Sequence, residues 1–149
     1  MESSLFAGLR ETEKQLFLEV FKEKKIQKDQ LVKEEGERMH KAFFLSEGEL
    51  LVQKQTSDEN MEIGRIGSDE DIFFSVDCLL YEGNSLTTVK ATQESVILEI
   101  LQKDFFDFCQ RNEAVGVKIL ANLTQLLIQF LRKNDSKIAE MYKTLEEVL

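Results

Sequence analysis

The chain of 149 residues carries a formal net charge of −9, from 19 Lys and Arg against 28 Asp and Glu. That length suits one domain with a core large enough to fold without a metal or disulfide, and that charge argues against a surface built to hold a nucleic-acid backbone. Cys78 and Cys109 have neither CxxC spacing nor a histidine beside them, which reads as two free thiols.

The N-terminus, "MESSLFAGLRETEK", turns acidic at its second residue and has no long apolar run. Neither a signal peptide nor a membrane span is expected there, and the cytoplasm is the expected location. After "LFAGL", the apolar residues Leu16, Phe17, Val20 and Phe21 recur at helical spacing and predict a helix within residues 5–22. Beyond it the rhythm shortens. Strands are predicted at 30–33, 41–45, 49–55, 61–66, 86–91 and 95–101, separated by "EEGER", "SEG", "TSDEN", "GSDED", "YEGN" and "TQE". Six or more short strands with Gly or Asn at the corners predict a mainly β protein with flanking helices, an antiparallel β-roll or jelly roll over residues 24–101.

The helical period returns over residues 102–132. "KDFFDFCQRN" predicts a short amphipathic helix, and Asn112 is placed to cap a much longer one. On the long helix, Ile119, Leu123, Leu126 and Phe130 form a stripe expected to pack on the roll. A second stripe alternates four and three apart through Leu120, Thr124, Leu127, Leu131, Asn134, Ile138, Met141, Leu145 and Val148. A repeat of about 3.5 residues is the seam of a coiled coil, with Asn134 placed to set register. A homodimer through this helix is therefore expected, with residues 133–149 as a helical extension. The run "KNDSK" also permits the helix to stop and residues 137–149 to fold back, because Asn, Asp and Ser favour caps over helix interiors.

The reactive side chains are sparse. His40 is the sole histidine, too few for a metal cluster, a nucleophilic triad or a cupin-type metal centre. The acids of "SDED" and "TSDEN" lack the glycine and terminal Glu of a calcium loop, and no Gly-rich phosphate loop or GxSxG is present. An enzyme is not expected, nor is any cofactor or metal. "NLT" at 122–124 has the glycosylation pattern but falls in the long helix.

A leading "LFAGL", a helix, a roll with "SEGEL", then "LLYEGNSLTTVKA" and a long closing helix resemble the cyclic nucleotide-binding domain. This is the sensory module of catabolite-activator-type regulators, protein kinase A regulatory subunits and cyclic nucleotide-gated channels. The resemblance covers roughly residues 5–132, with "KKIQKDQLVKEEGER" matching the first strands around Gly36 and "KAFFLSEGELLV" the central hairpin around Gly48 and Glu49. It implies a sensory domain over 1–132 whose closing helix carries the output. A winged helix-turn-helix follows that helix in related transcription regulators, and none is expected before Leu149.

In the family, the phosphate cassette reads approximately Phe-Gly-Glu, two residues, Leu-Leu, a short loop, Pro-Arg, a small residue or two, and Thr-Val-Arg-Ala. Here Phe74, Leu79, Leu80, Val89 and Ala91 keep the packing positions, while Ser75 and Val76 stand for Gly-Glu and Asn84 and Ser85 for Pro-Arg. A buried phosphodiester needs an opposite charge or several donors. A charge-assisted bond contributes about 1.5–3 kcal/mol, so losing both anchors removes about 4–6 kcal/mol and a micromolar site becomes weaker than millimolar. Asp77 or Lys90 are the candidate substitutes for the lost carboxylate and guanidinium.

The expected function is thus a regulatory module with a degenerate cassette, acting as a dimeric interaction or scaffold unit. The alternative is a sensor of a non-nucleotide or atypical ligand, with pocket candidates Phe74, Ser75, Val76, Asp77, Cys78, Ser85, Leu86, Thr87 and Thr88. Phenylalanines 43, 44, 73, 74, 105, 106 and 108 are expected either to fill the roll or to line an apolar pocket in it.

Overall fold

The computed structural model describes residues 4–70 and 72–148. Asp71 and the Glu70 side chain, in the acidic run before the cassette, lie outside the described residues.

The predicted helix within 5–22 is divided. Ser4–Phe6 form a single 3-10 turn, Gly8 takes a left-handed φ of +77°, and helix α1 spans only Glu11–Leu18. Glycine adopts that φ without steric cost and so turns the chain here. The Glu13 carboxylate accepts the Arg10 backbone N–H at 2.9 Å, occupying a donor at the start of α1. The helix ends early because Lys22–Ile26 are drawn into strand β1. Only Ile26 of that strand is buried, so it lacks the apolar alternation that reveals a strand.

The strands that follow are β2 Leu31–Lys33, β3 Arg38–Met39, β4 Lys41–Glu47, β5 Glu49–Gln55, β6 Asn60–Gly67 and β7 Phe73–Phe74. Helix α2 is Asp77–Leu80, and β8 Gly83–Asn84, β9 Thr88–Ala91 and β10 Ser95–Leu101 complete the roll. Two four-stranded antiparallel sheets, in the orders β1-β10-β4-β7 and β2-β9-β5-β6, are joined by the short pair β3-β8. Predicted strands 49–55 and 95–101 coincide with β5 and β10, whereas the two-residue β3, β7 and β8 are too short to carry a pattern.

Strand β4 shows how the layers are arranged. Residues 42–45 are all buried because successive side chains enter different cores. Ala42 and Phe44 face a core shared with the helices, with Phe6, Phe17, Phe105 and Ile119, while Phe43 and Leu45 face the roll interior with Leu50, Val89 and Ile97. The tight β4–β5 turn depends on Gly48, at φ +98°, where a Cβ would run into the Ser95 side chain and stand 2.8 Å from the Glu94 carbonyl.

Helix α3 spans Gln102–Arg111 and α4 Glu113–Val148. The Asn112 side chain does not take the expected cap position on α4. It donates to the Phe108 carbonyl at 3.1 Å and so closes the end of α3 instead. Helix α4 runs unbroken through the "KNDSK" segment, where the Ser136 hydroxyl donates to the Arg132 carbonyl one turn back at 3.1 Å, a bond that accommodates serine in a helix interior.

The core face of α4 consists of Val115, Gly116, Ile119 and Leu123, with Leu120 and Leu127 packed partly against the same core. This corrects the predicted stripes at two places. Leu120 and Leu127, assigned to the seam, pack partly on their own roll, and Phe130, assigned to the roll, is 53% exposed. The physical reason is that α4 outruns the roll beyond Leu127. The helix also contains an 18-residue window of mean hydropathy 1.5, apolar enough by length and composition to cross a bilayer. The core side of α4 is occupied by Val115, Ile119 and Leu123.

Candidate functional site

The cassette segment sits where the two cores meet. Phe73 stacks on Phe44 with ring centroids 4.5 Å apart on the helix side, and Phe74 stacks on Phe43 at 5.1 Å on the roll side. Of the seven predicted core phenylalanines, only Phe43 and Phe74 therefore face the roll interior, while Phe44, Phe73, Phe105 and Phe108 pack under the helices and Phe106 is 40% exposed. Ser75 follows with a left-handed φ of +63°, a conformation costly for a residue with a Cβ. That turn sends the chain into α2, which again divides its side chains: Cys78 enters the roll interior and Leu79 the helix-side core.

The predicted pocket residues are only partly brought together. Phe74, Ser75 and Cys78 stand at the roll interior, and the Ser75 hydroxyl lies 3.4 Å from the Cys78 Sγ. Val76 belongs to the helix-side core, and Asp77 is exposed at the first turn of α2, so neither replaces an inward carboxylate. Leu86 is 68% exposed. Ser85 is buried, but its hydroxyl donates to the Thr87 carbonyl at 2.7 Å and accepts the Thr87 N–H at 3.4 Å, so the loop uses it internally. The Thr88 hydroxyl accepts the Glu35 N–H at 2.9 Å. Lys90 lies between Val89 and Ala91, whose side chains enter the roll core, so its own side chain takes the opposite face of β9.

The structure adds a residue that the sequence reading passed over. Lys33 is 8% exposed, and its Nζ donates to the Ser75 Oγ at 3.4 Å. The register explains how a lysine comes to lie there. Leu31 pairs with Lys90 and Lys33 with Val89, so β2 spends one residue more than β9 and bulges at Val32. A bulge re-aims side chains, and here Val32 packs on the roll core while Lys33 follows it inward opposite Val89. In sequence "QLVKEE" resembles an ordinary edge strand ending in solvated charge, and nothing in it marks the bulge. Burial pulls the Lys33 ammonium below its ordinary value, while the carboxylates of Asp77 and Glu37 oppose this from exposed positions. Burial likewise pushes the Cys78 thiol up.

Cassette and closing helix also meet. A groove of about 280 Å³ is lined by residues 72–77 on one side and by Leu127 and Phe130 of α4 on the other.

This order of elements and this cassette position are those of a known sensory fold, and the sequence matches the cyclic nucleotide-binding domain over residues 23–112. The chain belongs to the cyclic nucleotide-binding domain family. No match was found among curated protein sequences. Among solved structures, the catabolite activator protein of Thermus thermophilus aligns with a TM-score of 0.84 at 20% identity, over 93% of this chain and 63% of its own. A cyclic nucleotide-binding domain from Methylobacillus flagellatus aligns at 0.71 and 13% identity, over 93% of this chain and 95% of its own. The c-di-GMP responsive regulator CLP of Xanthomonas campestris aligns at 0.71 and 15% identity, covering 87% of this chain and 63% of its own. Identities this low show the fold alone. The chain spans less than two-thirds of the catabolite activator protein and of CLP. As a family member, the chain is a regulatory or sensory module, a mainly antiparallel β-roll closed by a long C-terminal helix.

Proposed function

We propose that this domain is a dimeric regulatory module in which α4 is both subunit interface and output element, and in which the cassette does not hold a cyclic nucleotide through the family's usual anchors. The observation that carries the reading is the uncovered stripe of α4. Leu131, Ile138, Met141, Leu145 and Val148 are between 51% and 78% exposed and recur at seven-residue spacing with steps of three and four. Each such side chain contributes about 1.5–3 kcal/mol when fully buried, and a stripe with this repeat is complementary to a second copy of itself. Asn134 falls within the seam, where a polar residue favours one register over its neighbours.

The cassette supports the second half of the reading. Burying a phosphodiester requires a charged or multiply donating partner. At the positions matching the family's anchors, Val76 is committed to the helix-side core and the Ser85 hydroxyl to its own loop. The groove shared by residues 72–77, Leu127 and Phe130 then couples the cassette to the root of the dimer helix. Sedimentation of the wild-type chain beside Leu131→Glu tests this, because Leu131 is 63% exposed in the single chain and its replacement leaves the roll core untouched.

A further inference from the structure

Among the described residues, Lys33 is the one buried cation at the cassette, and the proposed function leaves it unused. A lysine 8% exposed with a single hydrogen bond at 3.4 Å has lost nearly all its hydration and regained little. An ammonium carries three donors, and a buried charge persists where it is paired or where it performs a task. Lys33 forms no ion pair with any described residue. Asp77 and Glu37 act on it from beyond pairing distance and are themselves exposed. Cys78 is a neutral thiol at neutral pH and brings no countercharge. The single hydrogen-bond partner, Ser75, sits on strained backbone at φ +63°. Strained residues of this kind collect at ligand clamps.

We propose that Lys33 and Ser75 form a site for a compact oxyanion, the phosphate or carboxylate group of a small organic molecule. The anion is held from the bulged end of β2 instead of from the cassette loop. Ser75 and Phe74 also line the groove of about 280 Å³, which offers room for the remainder of the molecule. The inference rests on the reading that the cassette lacks its usual anchors, because it assigns the charge in the roll to a residue outside that loop.

Thermal shifts of the full chain test it, with inorganic phosphate, cyclic AMP and acetate each added at about 10 mM against sodium chloride at matched ionic strength. At least one of the three should raise Tm above the chloride control in the wild type. That shift should vanish in Lys33→Met, which removes the charge at similar volume, and survive in Lys33→Arg. Phosphate, cyclic AMP and acetate as separate arms identify which oxyanion source the site takes. Equal shifts in wild type and Lys33→Met, or no shift beyond chloride with any probe, overturn the site. Because Lys33→Met removes a buried charge, it should unfold at or above the wild-type temperature without ligand, so a lost shift is not a lost fold. Dimer mass is unaffected either way, which separates this result from a failure of the α4 interface.

Discussion

Asn122 ties the long helix to the start of the chain: its side-chain amide donates to the backbone carbonyls of Leu5 and Ala7, each at 2.8 Å. The same residue opens the "NLT" glycosylation pattern, and in the fold its nitrogen is committed to these two carbonyls. Asn122→Ala removes both bonds beside the fully buried Leu5. The expected loss is about 1–3 kcal/mol, or about 2–10 °C in Tm for a chain of this size, read by thermal or urea denaturation.

Glu13, on α1, forms a second tie to α4. Its carboxylate accepts from the Arg10 backbone and Nε, and the Lys118 Nζ lies 3.2 Å away. The Arg10 backbone N–H is the largest cause holding its pKa at about 2, below the ordinary 4.5, with the Arg10 and Lys118 side chains adding to it and burial opposing it. A folded pKa below the unfolded one means that the unfolded state binds more protons between the two values. The stabilisation is therefore complete above about pH 4.5 and is lost as pH falls toward about 2. Glu13→Gln should flatten the stability profile across that window, measured as urea midpoints from pH 6 down to about pH 2.

Gly48→Ala forces a Cβ into a left-handed turn and against Ser95 and the Glu94 carbonyl. A cost of about 1–3 kcal/mol is expected, with unfolding still cooperative. An unchanged midpoint would mean that the β4–β5 turn relaxes more easily than its geometry implies.

Calorimetric titration with cyclic AMP and cyclic GMP should give no binding with Kd in the micromolar range, because Val76 and Ser85 offer neither carboxylate nor guanidinium to the ligand. A micromolar Kd would contradict the account of the cassette. The Lys33→Met variant would then show whether β2 supplies the missing charge.

Much of the architecture was legible because it is written in patterns longer than a turn. Strands β5 and β10 contain short apolar runs bounded by turn residues, the Gly48 turn has a glycine where only glycine fits, and α3 announces itself by its aromatic spacing. Strand β1 was hidden because four of its five residues are exposed, so its pairing with β10 depends on main-chain bonds that leave no side-chain signature. Lys33 was hidden for a related reason. A bulge is a mismatch between two strands, Leu31 to Lys33 against Lys90 to Val89, and neither strand carries it alone. On α4 the two stripes were visible, but where the roll stops supporting the helix is a property of the roll. That boundary falls near Leu127, which is why Leu127 packs partly on the roll and Phe130, one turn on, is 53% exposed.

Leu127 and Leu131 therefore answer different questions. Leu127→Glu places a charge against the chain's own core and should lower Tm as well as affinity between subunits. Leu131→Glu touches the seam alone and should leave Tm at low concentration unchanged.

Sedimentation equilibrium of wild type and Leu131→Glu is the most direct test of the central claim. The account predicts that the wild type sediments at twice its chain mass of 17.3 kDa at micromolar concentration. It predicts that Leu131→Glu, by removing one apolar side chain from each side of the seam, weakens association by about 100-fold or more and sediments as the single chain. A wild-type chain that stays at 17.3 kDa, or a variant that keeps the wild-type mass, would contradict it.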